Sequence, residues 1–185
     1  MSDIQIVKTQ DTTANPGPLG LTGFALATLT LGFHNAGIFP SSLTVVAMAI
    51  FVGGLAQLLA GMMEWKKGNT FGMVAFTGFG VFWLSFAWIQ IHPFFMTAGL
   101  ESVGLYLALW GLFGLCLLLG TLKMKSKSMV VIFALLVLTF FVTAFDHMAF
   151  PLGAVPGICA LLLGLSALYK AMADVLNEQG YNIPT

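Results

Sequence analysis

The chain has 185 residues, 58% of them hydrophobic and only 8% charged, with a mean hydropathy of +0.96. A soluble domain carries about a quarter charged residues, so this composition excludes a water-soluble globular protein. The formal net charge is zero, which leaves no basic surface for nucleic acid.

Residues 1–18 are mostly polar, lack the apolar core of a secretory leader, and are expected to form a cytoplasmic tail. Six apolar runs follow, at 19–39, 43–63, 70–91, 101–122, 129–149 and 153–174. A hydrocarbon core of about 30 Å takes about 20 helical residues to cross. Inside lipid a segment must satisfy its own backbone hydrogen bonds, and these runs are too long and continuous for barrel strands. The predicted fold is all-α, a polytopic membrane protein with six transmembrane helices. Residues 19–174 form the membrane domain and residues 175–185 a second cytoplasmic tail.

Orientation follows from the lysines. The chain has no arginine, and its seven lysines stand at Lys8, Lys66, Lys67, Lys123, Lys125, Lys127 and Lys170. With six spans, all of them fall outside the apolar runs or near a run's end on one side of the bilayer. Cytoplasmic loops carry the lysine and arginine excess, so both termini are expected in the cytoplasm, in a multi-pass plasma-membrane protein. The opposite connections are short and rich in proline or glycine: Pro40-Ser41-Ser42, His92 to Gly99, and Pro151 to Pro156.

Three runs carry stripes of small residues at helical spacing. The stripes are Gly20, Gly23, Ala27, Thr30, His34 and Gly37; Ala47, Ile50, Gly54, Gln57, Gly61 and Glu64; and Gly153, Gly157, Ala160, Gly164, Ala167 and Ala171. Small faces let membrane helices approach closely, and they also leave room for a narrow solute path. The third stripe reads as packing. The first two contain polar groups and favour the path.

Ionisable groups inside a membrane are costly and mark function or pairing. Gln57 and Glu64 share one stripe. His34, Asp146 and Glu64 are the candidate proton carriers, while Glu64 and Glu101 also read as interfacial end residues, and His34 as an interhelical hydrogen bond. His92 and His147 read as surface residues. Asn15 before Pro16, and Asn69-Thr70, look like helix starts. Their free backbone N–H groups suit weak anion binding. No histidine or cysteine spacing matches a metal site, Cys116 and Cys159 read as buried hydrophobes, and no nucleophile has a nearby base. Neither a metal, a cofactor nor an enzymatic activity is expected.

The stretch Asn15-Pro-Gly-Pro-Leu-Gly-Leu-Thr-Gly-Phe24 resembles the signature of the acetate uptake transporter family, N-P-A/V-P-L/F-G-L-x-G/S/A-F, with Gly17 in place of alanine or valine. Further stretches are similar to bacterial members: Leu31-Gly-Phe-His-Asn-Ala-Gly37, Gly53-Gly-Leu-Ala-Gln57, Glu64-Trp-Lys-Lys-Gly-Asn-Thr-Phe-Gly72, Gly120-Thr-Leu-Lys123 and Val175-Leu-Asn-Glu-Gln179. The family includes the bacterial succinate–acetate permease and fungal ammonia/acetate relatives. The resemblance implies transport of acetate and similar small carboxylates, with succinate in some members. It also implies a homo-hexamer whose protomers each carry a pore. By position, the family's hydrophobic constriction falls on Phe24, Phe79 and Leu135. The polar lining expected beside it is Asn15, Gln57, Glu64, Asn69 and Thr70. A dry constriction of this kind blocks hydrated ions. Ammonia or another small neutral solute is the alternative cargo, and a haem-binding electron carrier using His34, His92 or His147 is the alternative class.

Overall fold

The computed structural model describes residues 12–40, 43–92 and 99–185. Lys8, Gln10, the turn at Ser41-Ser42 and most of the 92–99 connection lie outside the described residues. The described residues form six helical rods and no strand: α1 Gly17–Asn35, α2 Leu43–Lys66, α3 Thr70–Ile91, α4 Leu100–Thr121, α5 Lys127–Met148 and α6 Val155–Glu178. Five of these, α2 to α6, are long and apolar enough to cross a membrane. The remaining rod, α1, is diluted by glycine, threonine, His34 and Asn35, and its N-terminal half is mostly buried.

Local sequence explains where the rods begin and end. Asn15 Oδ1 accepts the Gly17 N–H at 3.0 Å, and prolines 16 and 18 stiffen the first turn of α1. Asn69 caps α3, accepting the Gly72 N–H at 3.1 Å, and Ser126 caps α5 through the Met129 N–H. Gly37 and Gly68 have φ of +74° and +70°, the left-handed conformation that lets the chain reverse after α1 and α2. Beyond α6 the chain folds back. Asn177 holds both backbone groups of Ile183, and the Tyr169 hydroxyl donates to the Pro184 carbonyl at 2.8 Å.

Large apolar side chains point outward all along the bundle. Leu105, Leu109, Leu112 and Leu119 form an exposed column on α4, and Phe51, Trp88 and Leu165 project likewise. Inside, small residues set the helix spacing. A side chain at Gly157 would collide with the backbone at Asn35 and Ala36, and one at Gly164 with Leu29 and the Ala25 carbonyl. The stripe of α6 is therefore a packing face against α1. The stripes of α1 and α2 divide their labour. Gly20, Gly23, Gly54 and Gly61 meet Phe76, Val52, Leu84 and Thr77, whereas His34, Gln57 and Glu64 line cavities.

Two features have no counterpart in the sequence reading. Residues Met48–Ala56 of α2 are π-helical, a wider winding that is rare and concentrates at functional sites. The consecutive rods α3 and α4 make little backbone contact. Aromatic rings bridge them: Phe79 meets Phe113 at 5.3 Å between centroids, and Phe82 meets Trp110 at 5.4 Å and Tyr106 at 5.9 Å. The Tyr106 hydroxyl bonds Ser85 Oγ at 2.7 Å and donates to the Phe82 carbonyl at 3.1 Å.

Candidate functional site

Two cavities open into the bundle from opposite ends. One, of about 210 Å³, lies at the end where α1 starts and α2 finishes, and its wall includes Asn15, Gln57, Glu64 and Asn69. The other, of about 550 Å³, lies at the end where α1 finishes, and its wall includes His34, Asn35, Gln90 and His147. Among the described residues Phe24 is the one side chain that lines both.

Between the cavities the bundle is filled by rings. Phe79 is only 2% exposed and sits at the hub of the cluster. Its centroid lies 6.0 Å from Phe24, 6.4 Å from Phe133 and 6.0 Å from Phe140. Leu136 belongs to the same floor. A side chain at Gly114 would strike Leu136, so the absence of one is what lets α4 approach this floor. Leu135, the position expected from resemblance, is half-buried and lines neither cavity; its neighbour Leu136 lines the Glu64 cavity. One residue turns a helix by about 100°, which is the whole difference between the two placements.

The Glu64 cavity is polar and charged. Gln57 is 1% exposed and its Oε1 has no hydrogen-bond partner. Glu64 is 4% exposed and accepts a hydrogen bond from Asn69 Nδ2 at 2.7 Å. Asn69 thus caps α3 with one end of its amide and orients Glu64 with the other. Thr70, beside it, is exposed and does not line the cavity. The sequence reading did not foresee Lys170 here. It lies within α6, is buried on the cavity wall, and pairs with Asp174 at 2.5 Å. Its position near the end of an apolar run suggested an interfacial lysine; the one-turn spacing to Asp174 was the readable signal of a pair.

The His34 cavity holds no carboxylate and no lysine among its described lining residues. His34 Nδ1 lies 3.3 Å from the Phe39 carbonyl oxygen, and His147 Nδ1 lies 2.9 Å from the Thr143 carbonyl oxygen. His147, expected at the surface, is part of this wall. Asp146 lies outside both linings and accepts the Leu152 N–H, so it secures the turn into α6. Among the described residues no group of three histidine, cysteine or acidic side chains could hold a metal ion.

An all-helical membrane bundle with opposed cavities and an aromatic floor between them is the architecture of a membrane transport protein. Its sequence matches the GPR1/FUN34/yaaH family over residues 4–184, and the chain belongs to that family. It is 44% identical to the succinate-acetate/proton symporter SatP of Escherichia coli K12 over 174 residues, 90% of each chain. It is 36% identical to the ammonia transport outward protein 2 of Saccharomyces cerevisiae, covering 90% of this chain and 63% of that one. Its structure matches that of the bacterial acetate channel SatP with a TM-score of 0.87 at 41% identity, covering 91% of this chain and 96% of the other. These relatives are transporters and channels, and the chain is a multi-pass plasma-membrane transport protein, not an enzyme.

Proposed function

We propose that the chain conducts acetate and related small carboxylates, succinate among them, between the two cavities, with Phe24, Phe79 and Leu136 as the hydrophobic constriction. All six rods span the membrane, α1 being the sixth crossing, and both termini are cytoplasmic. Lys66, Lys67, Lys123, Lys125 and Lys127 all cluster at the helix ends around the Glu64 cavity, which supports a cytoplasmic Glu64 cavity and an external His34 cavity. The observation that carries the reading is that Phe24 lines both cavities and packs against Phe79 in the floor of rings between them. A carboxylic acid ionises at a pKa of about 4 to 5, so near neutral pH the solute arrives as an anion. It must shed water at the rings or cross with a proton. Gln57, Asn15, Asn69 and the Lys170–Asp174 pair offer hydrogen bonds on the cytoplasmic side. Glu64 and His34 are the groups placed to carry a proton; Asp146 stays with its backbone partner.

Acetate uptake into proteoliposomes, with and without an imposed pH gradient, tests this. Uptake above protein-free vesicles is expected, and its absence would overturn the reading. Stimulation by an inward proton gradient would mark symport, and indifference to it a channel. A hexamer is expected on native mass measurement in detergent. The apolar floor also suits a small neutral solute, so labelled acetate and methylammonium should be compared in the same vesicles; preference for methylammonium would favour ammonia as cargo.

A further inference from the structure

We propose that a groove between α2, α3 and α4 is a binding site for an anionic phospholipid, with an acyl chain in the groove and the phosphate on the lysines at its end. The groove has a volume of about 420 Å³ and shares no lining residue with the two cavities of the transport path. Bare backbone makes its floor. A side chain at Gly61 would strike the Thr77 hydroxyl and fall 2.9 Å from the Thr77 nitrogen, and one at Gly78 would fall 2.7 Å from the tip of Phe113. Met62 and Trp65 form one wall and Phe113 the other. Because α3 and α4 make little backbone contact, their own helices leave this seam open.

The groove starts at the end of α2, where Trp65 is 72% exposed, and reaches Gly78, about 12 Å along α3 from Thr70. Its lining is apolar apart from two donors, the Trp65 indole N–H and the Thr77 hydroxyl. Thr139 donates to the Leu135 carbonyl and Thr143 to the Thr139 carbonyl, each at 2.7 Å, so those hydroxyl protons are spent on their own helix. Thr77 makes no hydrogen bond among the described residues and keeps its proton for an acceptor that enters the groove.

Charge selects the occupant. Lys66 and Lys67 follow Trp65 at one wall, and Lys123 and Lys125 follow the end of α4, whose Phe113 forms the other. Lys67 donates to the Thr13 carbonyl at 2.8 Å. Lys66, Lys123 and Lys125 are exposed, and no carboxylate pairs with them among the described residues. A second copy of the chain has little to answer them with. The described carboxylates at this end of the bundle are Glu64 and Asp174, both lining the inner cavity, and Glu178. Lysine clusters beside a membrane-spanning rod attract the phosphates of anionic lipids, and tryptophan favours the same headgroup level. The ester carbonyls just below a phosphate are acceptors of the kind that the Trp65 and Thr77 donors lack, and the deeper apolar wall takes the chain.

The test uses the full chain in a non-ionic detergent and native mass measurement of the lipid it keeps, so its outcome is independent of the cargo. Dioleoylphosphatidylglycerol and dioleoylphosphatidylcholine are supplied in equal amounts. The wild-type chain is expected to retain about one glycerol lipid per protomer, in preference to the choline lipid by about tenfold. Lys66→Gln should lower that preference about fivefold. Val74→Trp fills the groove with an indole and should abolish retention of either lipid, while Leu109→Trp, on the exposed column of α4, should leave it unchanged. Equal retention of the two lipids by the wild-type chain overturns the site, and this result needs no variant to fold. Retention that falls with Lys66→Gln but survives Val74→Trp would show lysines gathering lipid without the groove, and overturns it as well. A change in the mass of the assembly on Val74→Trp, with bound lipid unaltered, would give the groove to a second copy of the chain instead.

Discussion

The two cavities differ in size and in charge, and the difference is instructive. The Glu64 cavity is about 210 Å³ and collects a carboxylate, an ion pair and three amides. The His34 cavity is about 550 Å³ and offers hydroxyls, imidazoles, an indole and two amides. Charge in a membrane is tolerated where it is paired or wetted, and here it stands close to one mouth. A wide uncharged chamber suits capture from dilute solution without retention. A narrow charged one suits handing an anion over to a polar compartment. The same bundle thus presents unlike faces to a solute travelling in each direction.

Merging the cavities should have the largest effect. Phe24→Ala removes the one ring common to both, and the uptake of acids larger than acetate, relative to acetate, is expected to rise by about tenfold or more, a change of about 1.4 kcal/mol in the barrier. Unchanged discrimination in vesicle uptake would remove Phe24 from the gate. Next comes the charge on the smaller side. Lys170→Met leaves Asp174 without its partner, and a loss of about 1–3 kcal/mol is expected, below the usual cost of breaking a buried pair because the cavity admits water. The melting temperature should fall, and Lys170→Met with Asp174→Leu should recover most of it. A double variant no more stable than the single would show that the pair does not act as a unit.

A third comparison sharpens the floor itself. Leu136→Ala should loosen selectivity several-fold and Leu135→Ala about twofold at most, since only Leu136 lines a cavity. Equal effects on the ratio of acetate to larger acids would return the constriction to Leu135. The smallest effect is assigned to Gln57→Ala. It should slow acetate uptake by about twofold through a lost hydrogen bond, against no change for Gln10→Ala in the N-terminal tail. Equal rates for the two variants would take Gln57 out of the path.

Much of this was readable because a membrane simplifies the code. Long apolar runs match the α2 to α6 rods to within a few residues, and Asn69 caps α3 as its sequence context implies. Polar residues are so rare in these runs that Gln57, Glu64 and His34 stood out, and each lines a cavity. What was hidden is phase and partnership. Leu135 and Leu136 are chemically identical, and only the facing helices decide which one points inward. Thr77 resembles the back-bonding Thr139 and Thr143 in sequence, and its free hydroxyl shows only once carbonyl distances are known. Nothing in residues 48–56 announces a π winding. The seam between α3 and α4 depends on rings meeting across space, at Phe79, Phe82, Tyr106 and Trp110, which linear spacing does not reveal.

The widened turns of α2 carry one more consequence. A π turn holds an extra residue relative to an α turn, so the helix has room to rewind if a single residue is excised between 48 and 56. Such a deletion would turn one π turn into an α turn and leave the residues beyond it facing as before, whereas the same deletion in an α turn would rotate them by about 100°. In an α turn Gln57 and Glu64 would swing away together and Asn69 would lose its acidic partner; within residues 48–56 they stay in place. The nine-residue stretch therefore acts as a phase adjuster. The chain can keep a glycine surface on one half of the rod for close approach and aim the other half's polar groups independently, without a proline.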